Sequence, residues 1–503
     1  MKNSEILAKL DLGKSVAEND TNLSSYFVPT VALSDFLADR YDIIRGVKGS
    51  GKSALLRVVS GQQQDYAALN DVLLHVATEH TGEPSFKRAF EKIKKDAYAE
   101  KELVFAWKTY LLNLALDELE KIDFPECKEA VSFAQKAGIR FKTTSNYKKI
   151  AWSLLRFLHI EKFSVSLDGL MAEFPDAPPE IWTRNETAVD FTEALSLCVH
   201  ALEKLGKRCW VLIDRLDAVF QDEPLLEAIA LKSLLNAYKD FMGYERLRMK
   251  LFFRTDLFDQ VTGDGGFREL THVMDRTSMP MAWDSDQLLL MIMERFVFNA
   301  SIREKYGLTQ EDIKDADLRK AAFSSIFGDQ IESGSRQSDS WTWMFNHIRD
   351  GNQVRTPRDL HALVTNAARK EQGLLTVGGD EDADVLISPT AVKAGLDQTS
   401  IDKVRTALIA ENPNLEKAIR AFQRGKAEHN VVSLESLLGT GWAPIVDDLH
   451  RIGFLEALDK SWKIPPIYRS GLEVTQGKAF GVGVMQLPSA VGATPQENVQ
   501  IEI

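Results

Sequence analysis

Asp42-Ile43-Ile44-Arg45-Gly46-Val47-Lys48-Gly49-Ser50-Gly51-Lys52-Ser53 is the stretch on which the fold is decided. Its first four residues read as a short buried strand, and Ala54-Leu55-Leu56-Arg57-Val58-Val59 after it has helix-forming composition with one apolar face. Between them lies a glycine loop of the form GxxxxGKS. A triphosphate carries several negative charges on closely spaced oxygens, so binding it needs many donors converging with no side chains in the way. Glycines 46, 49 and 51 let backbone N–H groups turn inward, and the helix that follows points its positive dipole end at the phosphates. Lys52 is expected at the β/γ-phosphates of ATP and Ser53 on Mg2+, with Lys48, Ser50 and Ala54 completing the cradle. The competing reading, a glycine-rich turn with a stray lysine, leaves the flanking strand and helix unexplained.

Outward from the loop, Trp210-Val211-Leu212-Ile213-Asp214 is an apolar strand ending in a carboxylate. That arrangement suits the far side of a magnesium shell, and Asp214 is the Walker B candidate. Such a strand is common by itself; the glycine loop gives it weight. Hydrolysis also needs a group that orients or deprotonates water. The position after Asp214 is Arg215, so Asp217 is the nearest acidic candidate, with helix capping as its alternative role. Arg254, Thr255 and Asp256 follow the strand Leu251-Phe252-Phe253, where a polar group can sense the γ-phosphate. Arg254 is preferred because its charge complements the leaving phosphate. The catalytic set is therefore Lys52, Asp214, Asp217 and Arg254, and the metal pair is Ser53 and Asp214. Arg358, after Pro357 at the start of a predicted helix, is placed to report on nucleotide. Arg355 competes with it, and either arginine is also explained by pairing with Asp359 or with solvent. Arg268 and Arg276, flanking His272 after Gly265-Gly266, are candidate fingers across a subunit interface. His272 has no second histidine nearby for a metal and reads as a packed or hydrogen-bonding residue.

A chain of 503 residues is expected to form two to four folding units. Apolar residues at 44% and charged residues at 27% exclude a disordered or fibrous chain. Cys127, Cys198 and Cys209 are far apart in sequence with no CxxC pair, which argues against a disulfide framework or a zinc site and fits a reducing cytosol. The N-terminus lacks a signal-peptide stretch and no window is apolar enough to span a membrane, so the expectation is a cytoplasmic protein with no membrane partner. A formal charge of −12 speaks against a chain that coats nucleic acid non-specifically.

Hydrophobic spacing divides the chain into a leader (1–26), an α/β core (27–282), a helical lid (283–372), a linker (373–387), a last unit (388–488) and a tail (489–503). Val72-Leu73-Leu74-His75-Val76 reads as a parallel strand neighbouring the first, and a helical insertion occupies about 84–201. Within the insertion Lys136, Arg140, Lys142, Lys148 and Lys149, with Phe141 and Tyr147 between them, read either as a phosphate-backbone grip or as a solvated helix face. In the last unit, helices at 433–438 and 445–449 precede strands at 454–458 and 462–465, the order of a winged helix.

With GVKGSGKSAL, WVLIDRLD, LFFRTDLF and TPRDL in that order, the chain resembles the AAA+ and STAND class of P-loop ATPases. It is most similar to bacterial single-chain members with a helical insertion and a C-terminal winged helix, over about residues 25–370. The resemblance implies a P-loop core with a small helical lid, ATP and Mg2+ as cofactors, and a homo-oligomer with nucleotide at subunit or domain boundaries. It assigns phosphate to Gly51, Lys52 and Ser53, and magnesium to Ser53 and Asp214. It departs at Arg215, where the usual AAA+ glutamate is missing; Asp214-x-x-Asp217 is nearer the STAND pattern of switches. Chains of this look frequently serve anti-phage defence or DNA maintenance, as sensor or scaffold for a separate effector.

Three functions follow. The first is a regulatory ATP switch controlling a partner effector, favoured because no nuclease, protease or toxin constellation appears in the C-terminal region. The second is a DNA-dependent ATPase or loader acting directly on nucleic acid. The third keeps the loop as a nucleotide-binding stability element without turnover.

Overall fold

Strands in a parallel sheet covered by helices are rich in apolar residues, and four mostly apolar runs build the centre of this α/β fold. They are β1 (Ile43–Gly46), β2 (Val72–Thr78), β3 (Arg208–Asp214) and β4 (Leu247–Arg254), all parallel, in the spatial order β1-β4-β3-β2. The structure is a computed structural model and describes residues 2–78, 99–140, 188–214, 224–263, 267 and 270–479. Alternate residues serve two cores. Ile43, Val211, Met249, Leu251 and Phe253 face the helices Ala99–Glu120, Ala188–Leu205 and Pro224–Tyr238. Ile44, Trp210, Leu212 and Phe252 face Phe36 and the apolar side of the helix Lys52–Gly61, through Leu55, Leu56 and Val59.

β2 does not neighbour β1 as expected, because β4 and β3 stand between them. Burial explains the placement: Leu73, Leu74, His75 and Val76 are only half-buried, which suits an outer strand, while Cys209 to Ile213 and Met249 to Phe253 are fully enclosed. On the other side of β1 runs Thr277–Met281, too irregular to form a strand. Ile43 bridges Thr277 and Gly46 bridges Met281, with Ser278 N donating to Ile43 O at 2.8 Å and Met281 N to Arg45 O at 2.7 Å.

Of the expected insertion, 84–98 and 141–187 lie outside the described residues, and with them Lys142, Lys148, Lys149, Phe141 and Tyr147. Arg140 corrects the phosphate-grip reading at its own position. It is buried, ion-paired with Asp117 and Glu120, and its guanidinium donates to the Asn113 carbonyl at 3.3 Å. No charge is left there for a phosphate.

The chain divides into two compact units, Val16–Met281 and the residues before and after it. The second unit begins with a short helix, Asn3–Lys9, held when Asn3 Nδ2 donates to Ala383 O at 3.0 Å and Val385 O at 3.1 Å. Its longest helices are Pro357–Thr376 and Pro389–Lys403. A second sheet, ordered β6-β7-β5-β8, contains β5 (Lys426–His429), β6 (Glu456–Ala457), β7 (Trp462–Lys463) and β8 (Thr475–Lys478). Helices Val431–Leu438 and Trp442–Arg451 lie between β5 and β6, and β6 and β7 pair as an antiparallel hairpin. The first hairpin strand is shorter than expected because the N–H groups of Phe454 and Leu455 bond back to Leu449 O, at 2.9 and 3.2 Å; beyond the second, Ile464 N donates to Ala427 O of β5 at 2.7 Å.

Two histidines of this unit carry a pH prediction. Burial pushes both His347 and His429 below the usual imidazole range; His347 also stacks on Trp343 at 3.8 Å, and His429 Nε2 lies 2.8 Å from Lys426 O. A base with a lowered folded pKa gives its full stability above the unfolded value of about 6.5 and loses it as pH falls from there through the folded value. The melting temperature is therefore expected to drop as pH falls below about 6.5, and to drop less in a His347→Gln, His429→Gln variant. Equal pH slopes for variant and wild type would contradict this.

Candidate functional site

In a parallel sheet ligands gather at the carboxyl ends of the strands, and here three adjacent ends deliver the expected groups. β1 ends in the glycine loop, β4 in Arg254 level with Gly46, and β3 in Asp214. The loop conformation depends on its glycines. Gly49 and Gly51 hold φ at 83° and 101°, in the left-handed region that a Cβ resists. Gly46 is needed for space: a Cβ there would overlap the Ser50 hydroxyl and come within 3.2 Å of Met281 Cβ. Ser50 N closes the turn on Val47 O at 3.2 Å, and Gly51 O accepts Leu55 N at 2.9 Å to start the helix Lys52–Gly61. The N–H groups of that first turn have no partners within the helix, which is the arrangement that attracts an anion.

Lys52 is buried, and its ammonium donates to the loop carbonyls Gly46 O at 2.7 Å and Val47 O at 3.1 Å. Ser53 Oγ donates to Asp214 Oδ2 at 2.5 Å, bringing together two residues 161 positions apart. Asp214 is 4% exposed. A hydroxyl and a carboxylate oxygen are the hard donors that Mg2+ takes, and the cradle is one that a Cβ would fill, so the residues present fit a magnesium triphosphate. Lys52 and the loop amides would hold the phosphates, and Ser53 with Asp214 the metal.

Arg254 forks onto Asp256, with Nε at 3.1 Å from Oδ1 and Nη2 at 2.6 Å from Oδ2. Beside it the Thr255 hydroxyl is buried and makes no hydrogen bond among the described residues. Its position invited the same reading as Arg254, but only its surroundings single it out. Asp217, Arg215, Arg268, Gly265 and Gly266 lie outside the described residues.

Arg276 is not free to act as a finger. Its guanidinium bonds Asp42 through Nε and Nη2, each at 3.0 Å, and Asp39 at 3.2 Å, inside its own unit. His272 is exposed on the helix Leu270–Asp275, where Val273 takes the inward position, so the packed reading of this histidine is also corrected. Arg358 belongs to the other unit, one residue into the helix Pro357–Thr376, which Thr356 caps by accepting Asp359 N at 3.1 Å. Arg355 is committed to its own loop: it donates to Phe345 O at 2.9 Å and Gln353 O at 2.8 Å, with its guanidinium over the Phe345 ring. Asp359 is bound by Lys403 at 2.6 Å, and the buried Nε of Arg358 makes no hydrogen bond among the described residues.

No protein-family model matches the chain, and no curated protein matches it. Among solved structures it is similar to the Aeropyrum pernix ORC2 protein in its ADPNP–ADP complexes, at 11% identity and a TM-score of 0.28, over 88% of this chain and 92% of that one. That likeness is too loose to bear on function. Among the described residues no helix is long and apolar enough to cross a membrane.

Proposed function

We propose that this chain is an AAA+/STAND-class P-loop ATPase working as a switch: ATP binding sets its conformation and assembly, and so controls a separate effector protein. The observation that carries the reading is the Ser53–Asp214 bond at the mouth of a glycine loop whose conformation only glycine tolerates. Gly46, Lys48, Gly49, Ser50, Gly51, Lys52, Ser53 and Ala54 hold the triphosphate, Ser53 and Asp214 hold Mg2+, and Arg254 or Thr255 senses the γ-phosphate. Arg215 after the metal aspartate makes turnover slow, with Asp217 positioning the water. Arg358 reports nucleotide to the second unit. The chain is a cytoplasmic homo-oligomer in this reading; a place in anti-phage defence rests on the class resemblance alone.

Direct action on nucleic acid is the weaker alternative. In a winged helix-like unit the helix Trp442–Arg451 would face a duplex, yet its charges are Asp447, Asp448 and Arg451, and Arg451 is paired with Asp448 at 2.6 Å. Such a face repels phosphates.

Native mass measurement with and without ATP tests the switch, with Lys52→Ala as control and the proteins encoded by adjacent genes present. The expected result is an ATP-dependent change in oligomer mass, or in partner capture, that the control lacks. A protein that neither binds ATP nor changes its assembly on binding sinks the proposal, and hydrolysis stimulated by DNA at low salt would favour the loader instead.

A further inference from the structure

Three attachments tie the C-terminal hairpin to the helix that carries Arg358. The first is the turn that leads into that helix. Gly351 N donates to Gly453 O at 2.7 Å, and a Cβ on Gly351 would overlap the Leu455 carbonyl, so the two backbones touch. Arg349 forks onto Glu456 at 3.1 and 3.2 Å, Gln353 Nε2 adds a bond to the same carboxylate at 2.7 Å, and Asn352 Nδ2 reaches Arg451 O at 3.2 Å. Asp350 shapes the turn by accepting the N–H groups of Asn352 and Val354, each at 2.9 Å.

The second attachment joins Pro357–Thr376 to Pro389–Lys403. A Cβ on Gly395 would lie 2.6 Å from Ala367 N, and the contact is flanked by Asn366 Nδ2 to Thr399 Oγ1 at 3.0 Å and Lys403 to Asp359 at 2.6 Å. The third joins that second helix to the stretch after the hairpin. Gly471 N donates to Ser400 Oγ at 2.8 Å, a Cβ on Gly471 would lie 2.6 Å from Ser400 O, and Lys403 Nζ sits 5.7 Å from the Tyr468 ring centre. Backbones in direct contact leave no soft layer to absorb a movement, because packed interiors shift between discrete arrangements and do not deform continuously.

We infer that Pro357–Thr376, Pro389–Lys403 and the hairpin Glu456–Lys463 form one lever, so that a displacement of Arg358 by nucleotide is delivered undiminished to the hairpin, with Arg349 and Glu456 as positioning residues. This deepens the proposed switch and rests on Arg358 reporting nucleotide. The lever gives the switch an output end far along the chain from its input.

Distances between dyes test it. All three native cysteines are buried, so Leu374→Cys on the helix, Leu458→Cys on the hairpin and Val31→Cys on the other unit, at positions 38%, 41% and 68% exposed, label selectively in pairs. ATP uptake is measured separately. In otherwise wild-type protein, ATP is expected to change the 31–374 and 31–458 distances with one midpoint and to leave the 374–458 distance fixed. Because the backbone contacts at Gly351, Gly395 and Gly471 remain, Glu456→Arg is expected to shift the resting 374–458 distance without making it depend on ATP, and adding Arg349→Glu to restore it. A 374–458 distance that changes with ATP overturns the lever, and a resting distance that Glu456→Arg leaves unmoved removes Arg349 and Glu456 as its positioning residues. If ATP binds and neither probe responds, the lever also falls. If ATP does not bind at all, the proposed switch itself has failed. The wild-type distances decide the matter even if Glu456→Arg does not fold.

Discussion

Lys52→Ala is expected to abolish measurable ATP binding and to cut phosphate release by about 100-fold or more, with the fold retained. A unit charge about 4 Å from a phosphate oxygen contributes about 4 kcal/mol at the effective dielectric of a protein surface. That is the contribution alanine deletes. The cost to the fold is smaller, since neutral-acceptor bonds such as those from the ammonium to Gly46 O and Val47 O contribute about 1 kcal/mol each. Titration with a fluorescent ATP analogue in Mg2+ and a thermal melt separate the two effects. A variant that binds like wild type would show that the loop does not hold the nucleotide.

Lys250→Met is expected to destabilise the unit Val16–Met281 by about 3–5 kcal/mol, enough to threaten a marginally stable fold. Lys250 is 0% exposed in the middle of β4, where its ammonium bonds Asp39, Tyr41 O at 2.7 Å and Asp42 at 3.0 Å and lies 4.5 Å from the Trp210 ring centre. Asp42 also takes a bond from Tyr238 at 2.9 Å and two from Arg276. Burial alone would raise the Asp42 carboxyl, but Lys250 and Arg276 hold it below its usual value. Its stability is therefore present above about pH 4 and lost as pH falls through the lower folded value. Without Lys250 the folded value rises, so that acid-dependent loss becomes smaller. Denaturant melts at neutral and acid pH measure both effects; a change under about 1 kcal/mol would show that the cluster is not structural in the way described.

The strand–loop–helix around Gly46 was legible because its chemistry is local: the spacing of three glycines, a lysine and a serine fixes a backbone shape without help from distant residues. Apolar runs likewise announced β3 and most of β2. What the sequence hid depends on partners far away. β4 begins at Leu247, but Lys250 breaks the apolar run and its neutralising carboxylate is 208 positions upstream, so only Leu251-Phe252-Phe253 reads as strand. Arg140 and Arg276 look like available cations for the same reason; each is matched to carboxylates that only folding brings near. The pairing of Ser53 with Asp214 was open to inference because the chemistry of a metal demands it, whereas Met281 beside Gly46 follows from no motif.

Thr277–Met281, alongside β1, has a colloidal consequence. A bare sheet edge is a template on which a second chain can add a strand, and this edge is covered by a segment whose Pro280 has no N–H to offer. Copies of this protein at high concentration cannot extend the sheet through β1. Two molecules therefore cannot join by pairing their phosphate-loop strands edge to edge.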